Sequence, residues 1–242
     1  MPNSSVREFV DRAVEPNIIG FLHVPVNPNQ RGLVLTHGAG GNAQAPLLRA
    51  LAETFAQAGY TVLRCNLPYR QARAFGPPGP GDAARDRAGL KNALAAIKGI
   101  LGRPYSAPSE EPARSQRSES KTWEQVFLGG HSYGGRQASM LCAEEPDLVS
   151  GLLPLSYPLH PPRRPEQQRT QHLPDLRTPT LFVHGTRDPF GTITELERAI
   201  KMIPAKTKLL TVEGAGHDLG FKGKKEELPE QIVSEFMKFF AY

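Results

Sequence analysis

Short β-branched and aliphatic runs alternate along this chain with longer stretches in which apolar residues recur every three or four positions. Residues 18–24 (IIGFLHV) and 33–36 (LVLT) are bounded by Pro, Asn and Gly, the punctuation of strands, and the second is apolar enough for burial on both faces. Residues 45–58 then set Leu47, Leu48, Leu51 and Phe55 at helical spacing, with Gly59 where a helix stops. The unit repeats. YTVLRCNL (60–67) reads as a strand, and 82–101 as a helix that starts at a capping Asp82 and lines up Leu90, Leu94, Ile97 and Leu101. Residues 125–129, 149–155, 180–184 and 207–212 continue as strands, and 134–144, 192–202 and 226–241 as helices, the last with Leu228, Ile232, Phe236 and Phe240 on one face. Strands alternating with helices of this length predict an α/β protein, a mostly parallel sheet covered on both faces through right-handed crossovers. Chemistry is then expected in the loops at the strand ends.

Two stretches break the alternation. Residues 103–122 are polar and nearly devoid of large apolar side chains, which predicts a loop unable to offset its ordering entropy; residues 157–178 are rich in Pro, Arg and Gln. The 242 residues suit a single domain, and 46 Gly plus Pro, about 19% against an ordinary share of about 12%, predict many turns and long connections. A formal charge of +5 without a dense basic tract gives no case for nucleic acid. Charged residues interrupt the N-terminus where a signal peptide needs its apolar stretch, and no run approaches the length that spans a bilayer, so a cytoplasmic protein with no membrane partner is expected. Cys65 and Cys142 sit in apolar contexts without CxxC spacing and read as core residues. Trp123 and Phe127 read as core as well.

The most specific feature is Gly130-His131-Ser132-Tyr133-Gly134, a G-x-S-x-G between an apolar strand and a helical stretch. So tight a turn strains the serine backbone and projects its hydroxyl from the sheet, and small residues on either side avoid clashes. A serine hydroxyl needs a base, commonly a histidine held by a buried carboxylate. His217 in GAGHD follows the strand TKLLTV, and Asp188 in HGTRDPF follows TLFVH; the alternative for Asp188 is to cap the helix that begins near Thr192. No carboxylate closely follows VSGLLPL, and Glu213 and Asp218 read as solvated loop charges. The loop THGAGG supplies a second backbone donor: the N–H groups of Ala39 and Tyr133 are the expected oxyanion hole, with His37 as a structural hydrogen-bonding residue. Neither a phosphate-loop pattern nor a dinucleotide fingerprint is present, and no cofactor is expected.

The segments THGAGG, FLGGHSYGG, LSYPLHPP, LFVHGTRDPF and GHDLGFKG resemble the α/β-hydrolase superfamily in its dienelactone-hydrolase-like branch. Within it the chain is similar to the group containing a testis-expressed hydrolase-like protein and the hydrolase-like subunit of the NSL histone-acetyltransferase complex. The resemblance implies an α/β-hydrolase fold of about seven or eight strands and a catalytic set carried over to Ser132, Asp188 and His217 in the chain order of that superfamily; many relatives insert a helical cap between the strands VSGLLPL and TLFVH, where the residues available here allow only a short lid over 157–178. Relatives can show Arg at the position of His131 and Ser at that of Gly135. His131 and Tyr157 are the expected substrate contacts, and Arg163, Arg164 and Arg169 could favour an anionic group near the rim. His160 and His172 lack a third convergent ligand, so no metal is expected. The function read from these residues is hydrolysis of a small acyl substrate through an acyl-enzyme, and such a triad serves esters, thioesters, amides and lactones alike. The alternative is a non-catalytic interaction or scaffold protein that keeps the fold.

Overall fold

A computed structural model describes residues 4–102, 125–220 and 227–241. The expected loop over 103–122 and Trp123 lie outside the described residues. Among the described residues eight strands form one sheet: β1 (Ser4–Asp11), β2 (Ile18–Pro25), β3 (Arg31–Thr36), β4 (Thr61–Cys65), β5 (Gln125–His131), β6 (Gly151–Leu155), β7 (Thr180–Gly185) and β8 (Thr207–Val212). Their spatial order is β1-β2-β4-β3-β5-β6-β7-β8; the β1/β2 and β2/β4 pairs are antiparallel and the others parallel. This is an α/β-hydrolase fold.

The helices are α1 (Pro46–Gln57), α2 (Pro68–Ala72), α3 (Asp82–Leu101), α4 (Tyr133–Glu144), α5 (Ile193–Ile200) and α6 (Leu228–Phe239). The apolar stripes read from the sequence face the sheet. On one side Leu48, Leu51 and Phe55 of α1 meet Phe236 of α6 over Phe127 of β5, with the Phe127 and Phe236 rings 4.9 Å apart. On the other, Leu90, Leu94 and Ile97 of α3 pack with Leu141 of α4 and Leu196 of α5. Cys65 and Cys142 are buried in this second layer, and burial pushes both thiols up to about 12, which removes thiolate chemistry near neutral pH. Among the described residues no helix is long and apolar enough to cross a membrane.

Three departures from the sequence reading have physical causes. β1 was not expected: it is an edge strand bonded to β2 alone, so most of its side chains face water and its sequence carries no apolar run. Asp82 does not cap α3; Gly81 does, in a left-handed conformation (φ 89°), and Asp82 becomes the first helical residue, its carboxylate accepting the Gly79 N–H at 2.6 Å. Tyr157 is not on the wall of the cavity that holds Ser132. It is fully buried, its hydroxyl donates to the Arg169 carbonyl at 2.7 Å, and its ring packs edge-on against Phe182. The segment after β6 is pinned to the core by Leu159 and by Leu173 in a short 3₁₀ turn, and it reaches the cavity described below through Pro158 and Arg169.

Because β3 to β8 run parallel, their carboxyl ends share one edge. Ala39 follows β3, Ser132 follows β5, Asp188 follows β7 and His217 follows β8. One topology therefore gathers residues far apart in sequence.

Candidate active site

Ser132 holds a backbone conformation that L-residues rarely adopt, φ 51° and ψ −116°. Its N–H donates to the Leu155 carbonyl (2.8 Å) and its carbonyl accepts the Arg136 N–H (3.0 Å), which fixes the strained turn between β5 and α4. The turn needs glycine at three places, Gly130, Gly134 and Gly135, the last because a Cβ there would stand 2.5 Å from the Gly130 carbonyl. A Cβ on Gly130 would stand 2.6 Å from the backbone of Gly134 and Gly135, and one on Gly134 would stand 2.5 Å from the His37 carbonyl. The motif spacing thus follows from backbone packed against backbone.

The Ser132 hydroxyl lies 2.8 Å from His217 Nε2, and His217 Nδ1 lies 2.8 and 3.0 Å from the two Asp188 oxygens. The Asp188 side chain is fully buried and also accepts the Phe190 N–H at 2.9 Å. With Nδ1–H donating to the carboxylate, Nε2 is left as the acceptor for the hydroxyl proton. Phe190 stacks on the imidazole, ring centroids 4.1 Å apart, and holds its plane. His131 donates from Nε2 to the His217 carbonyl at 2.7 Å, tying the β8 loop to the elbow; burial pulls its pKa down, which keeps it neutral for this role. The competing role for Asp188 is filled elsewhere: Thr192 caps α5, accepting the Glu195 N–H at 3.2 Å while the Glu195 carboxylate accepts the Thr192 N–H at 2.8 Å.

The loop after β3 faces this group. The Gly38 carbonyl accepts from His37 Nδ1 (2.9 Å), the Tyr69 hydroxyl (3.2 Å) and the Gly41 N–H (3.0 Å). In a trans peptide the carbonyl and the following N–H point in opposite directions, so three donors on the Gly38 oxygen fix where the Ala39 N–H aims. Arg70 holds the same loop through Nη2 to the Ala39 carbonyl (2.9 Å) and Nε to the Gly41 carbonyl (2.8 Å). Tyr133 opens α4, where N–H groups have no intrahelical acceptor. Its hydroxyl donates to Asp86 at 2.8 Å, and the other Asp86 oxygen accepts the Tyr69 N–H at 3.0 Å. A single buried carboxylate thereby braces both donor loops, and burial pushes its pKa up. Tyr133→Phe should leave one Asp86 oxygen without its donor and lower stability by about 1 to 3 kcal/mol; urea denaturation of the two proteins checks this.

His37 links this loop to pH. Its Nε2 accepts the Leu67 N–H (3.1 Å), so the ring is bound as the neutral form, and burial pulls its pKa down from 6.5 to about 4. His23, also fully buried, is lowered to about 4, chiefly by burial and then by the neighbouring Arg64. The unfolded chain takes up these protons as pH falls through 6.5, while the folded state resists until about 4. Their contribution is complete above the first value and is lost progressively toward the second. The urea midpoint should therefore fall between about pH 7 and about pH 5, and equal midpoints would contradict the neutral assignment.

A cavity of about 750 Å³ opens over these groups. Ala39, His131, Ser132, Tyr133 and His217 are on its wall, together with apolar residues such as Leu47, Pro78 and Phe190. Asp218, read from the sequence as a solvated charge, borders it too, and Arg163 and Arg164 are exposed and off the wall. His160 and His172 serve local bonds, the first with the Pro161 carbonyl at 2.8 Å and the second with Ser139 Oγ at 2.8 Å. Sequence reasoning missed Phe190, Asp86, Tyr69, Arg70 and Arg136. Asp86 did leave a trace, falling one helical turn before Leu90 on the buried stripe of α3.

Residues 106–241, more than half of the chain, match the family described as alpha/beta hydrolase domain, and the chain belongs to that family. Its structure is similar along nearly its whole length to that of dienelactone hydrolase from Anabaena variabilis, at 21% identity and a TM-score of 0.68, covering 98% of this chain and 97% of that one. It is likewise similar to XC6422 from Xanthomonas campestris, described as a serine hydrolase without lid, at 13% identity, a TM-score of 0.70 and coverage of 100% and 97%. Est1E from Butyrivibrio proteoclasticus is 16% identical with a TM-score of 0.66, covering 99% of this chain and all of that one. Among curated relatives, epoxide hydrolase A of Mycobacterium tuberculosis is 30% identical over 66 residues; the match spans 27% of this chain and 19% of that protein.

Proposed function

We propose that this protein is a serine hydrolase cleaving a small carboxylic ester or related acyl substrate. The observation that carries the reading is the hydrogen-bonded series from Ser132 Oγ through His217 to buried Asp188, opening on a cavity large enough for a small acyl compound. His217 Nε2 takes the Ser132 proton as Oγ attacks the carbonyl carbon, and Asp188 stabilises the imidazolium that results. The carbonyl oxygen gains negative charge and is received by the N–H groups of Ala39 and Tyr133, each worth about 3 to 4 kcal/mol of barrier lowering in such sites. Imidazolium then protonates the leaving alcohol, an acyl-Ser132 remains, and a water activated by His217 releases the acid and restores the serine. His131 acts as a positioning residue behind His217.

The fold likeness to dienelactone hydrolase and to the serine hydrolase from Xanthomonas campestris agrees with this reading. Short-chain p-nitrophenyl esters test it. Nitrophenol should appear in a rapid burst equal to the enzyme concentration, followed by slower steady turnover as the acyl-enzyme hydrolyses. Absence of hydrolysis across ester, thioester and lactone panels would leave the scaffold alternative standing.

A further inference from the structure

Two arginines enter the cavity that holds Ser132. Arg136 lies in the first turn of α4, so its side chain begins one turn from the nucleophilic residue. Arg169 comes from the segment after β6 and is steadied by a bond from Nη1 to the Pro158 carbonyl at 3.3 Å. Among the described residues neither forms an ion pair, whereas Arg73, Arg85 and Arg87 each have a carboxylate partner. The Nε of Arg136 is buried and meets no acceptor among the described residues. Burial, and after it the charge of Arg136, lowers the pKa of Arg169, so the two guanidinium groups act on one another. The carboxylate on the cavity wall, Asp218, is engaged with the Gly220 N–H at 3.0 Å, beside His217.

Two like charges that meet no carboxylate among the described residues and stand against a largely apolar wall are costly, and that cost is relieved when an anion binds between them. Guanidinium groups are well suited to the role because they donate in a rigid fork to carboxylate or phosphate oxygens. We propose that Arg136 and Arg169 form an anion subsite, and that the acyl part of the substrate carries a carboxylate or phosphate group within reach of it. The assignment rests on the acyl-hydrolase reading of Ser132. It moves the anionic preference from Arg163 and Arg164 on the surface to Arg136 within the site.

The test compares kcat/KM for p-nitrophenyl hemiglutarate and neutral p-nitrophenyl pentanoate at low ionic strength. The anionic ester should be preferred by about ten- to a hundredfold, the range of one or two charge-assisted bonds, and the preference should shrink toward unity in Arg136→Gln, in Arg169→Gln and at high salt. Arg169→Gln, on an irregular segment, keeps the test available if Arg136→Gln fails to fold. Calorimetric titration of Ser132→Ala protein with glutarate and with inorganic phosphate reads the subsite without turnover, and so separates its failure from failure of the hydrolase reading. Binding that weakens with salt and with either arginine substitution supports the subsite, and the anion bound more tightly identifies its chemistry. Binding without any ester preference would overturn the acyl-side placement. Absence of both binding and preference would overturn the proposal.

Discussion

Replacement of Ser132 by alanine is expected to lower kcat for p-nitrophenyl butyrate by about 10⁴- to 10⁶-fold while leaving the unfolding free energy from urea denaturation within about 1 kcal/mol of the parent. Only one oxygen is removed. It bonds to His217 Nε2 at 2.8 Å on the wall of the cavity, and the backbone bonds that hold the elbow, from Ser132 to Leu155 and from Arg136 to Ser132, do not involve it. Whatever turnover survives comes from the two N–H donors and from binding, which still act on a water attacking the carbonyl. Parent-like activity in the alanine variant would show that hydrolysis proceeds elsewhere.

Asp188→Asn should lower kcat by about 10⁴-fold, for a reason of donors and acceptors. The carboxylate accepts from two N–H groups, Phe190 at 2.9 Å on one oxygen and His217 Nδ1 at 2.8 Å on the other. An amide offers one oxygen. If it keeps the Phe190 bond, its NH₂ faces His217, which responds by moving its proton to Nε2 and loses the lone pair that receives the serine proton. The fold should tolerate the change, since Asn has nearly the same shape, and circular dichroism would confirm that the loss is chemical. A drop of less than tenfold would place the orienting group elsewhere.

The parts of this molecule that were readable from the sequence are those where local pattern and tertiary environment agree. Runs such as LVLT and TLFVH are apolar because β3 and β7 are covered on both faces, so the cause and the signal are the same thing. β1 failed that condition: an edge strand exposes its side chains, and VREFVD reads as a charged segment. The loops bearing Ser132, Asp188 and His217 are legible because each directly follows a recognisable strand; backbone packing demands glycine at Gly130 and Gly134 around the serine and at Gly185 before Asp188, whereas Gly214 before His217 answers to a positive φ of 69°. Tyr157 was misplaced because distance along the chain from β6 says nothing about which way a ring turns; it turned into the core against Phe182. The brace formed by Asp86, Tyr69, Arg70 and Tyr133 joins three segments, and nothing local marks Asp86 as the partner of Tyr133. Arg136 was passed over for a similar reason, since a helix-borne Arg ordinarily faces solvent.

The account depends on Ser132 being a nucleophile activated by His217. Mass-spectrometric mapping of a fluorophosphonate adduct tests that most directly, because the reagent phosphonylates only a serine whose proton is being drawn away. The adduct is expected at one equivalent per chain on the peptide containing Ser132, and it should vanish in His217→Gln. An adduct on another residue, or a Ser132 that stays unmodified in folded protein, would contradict it.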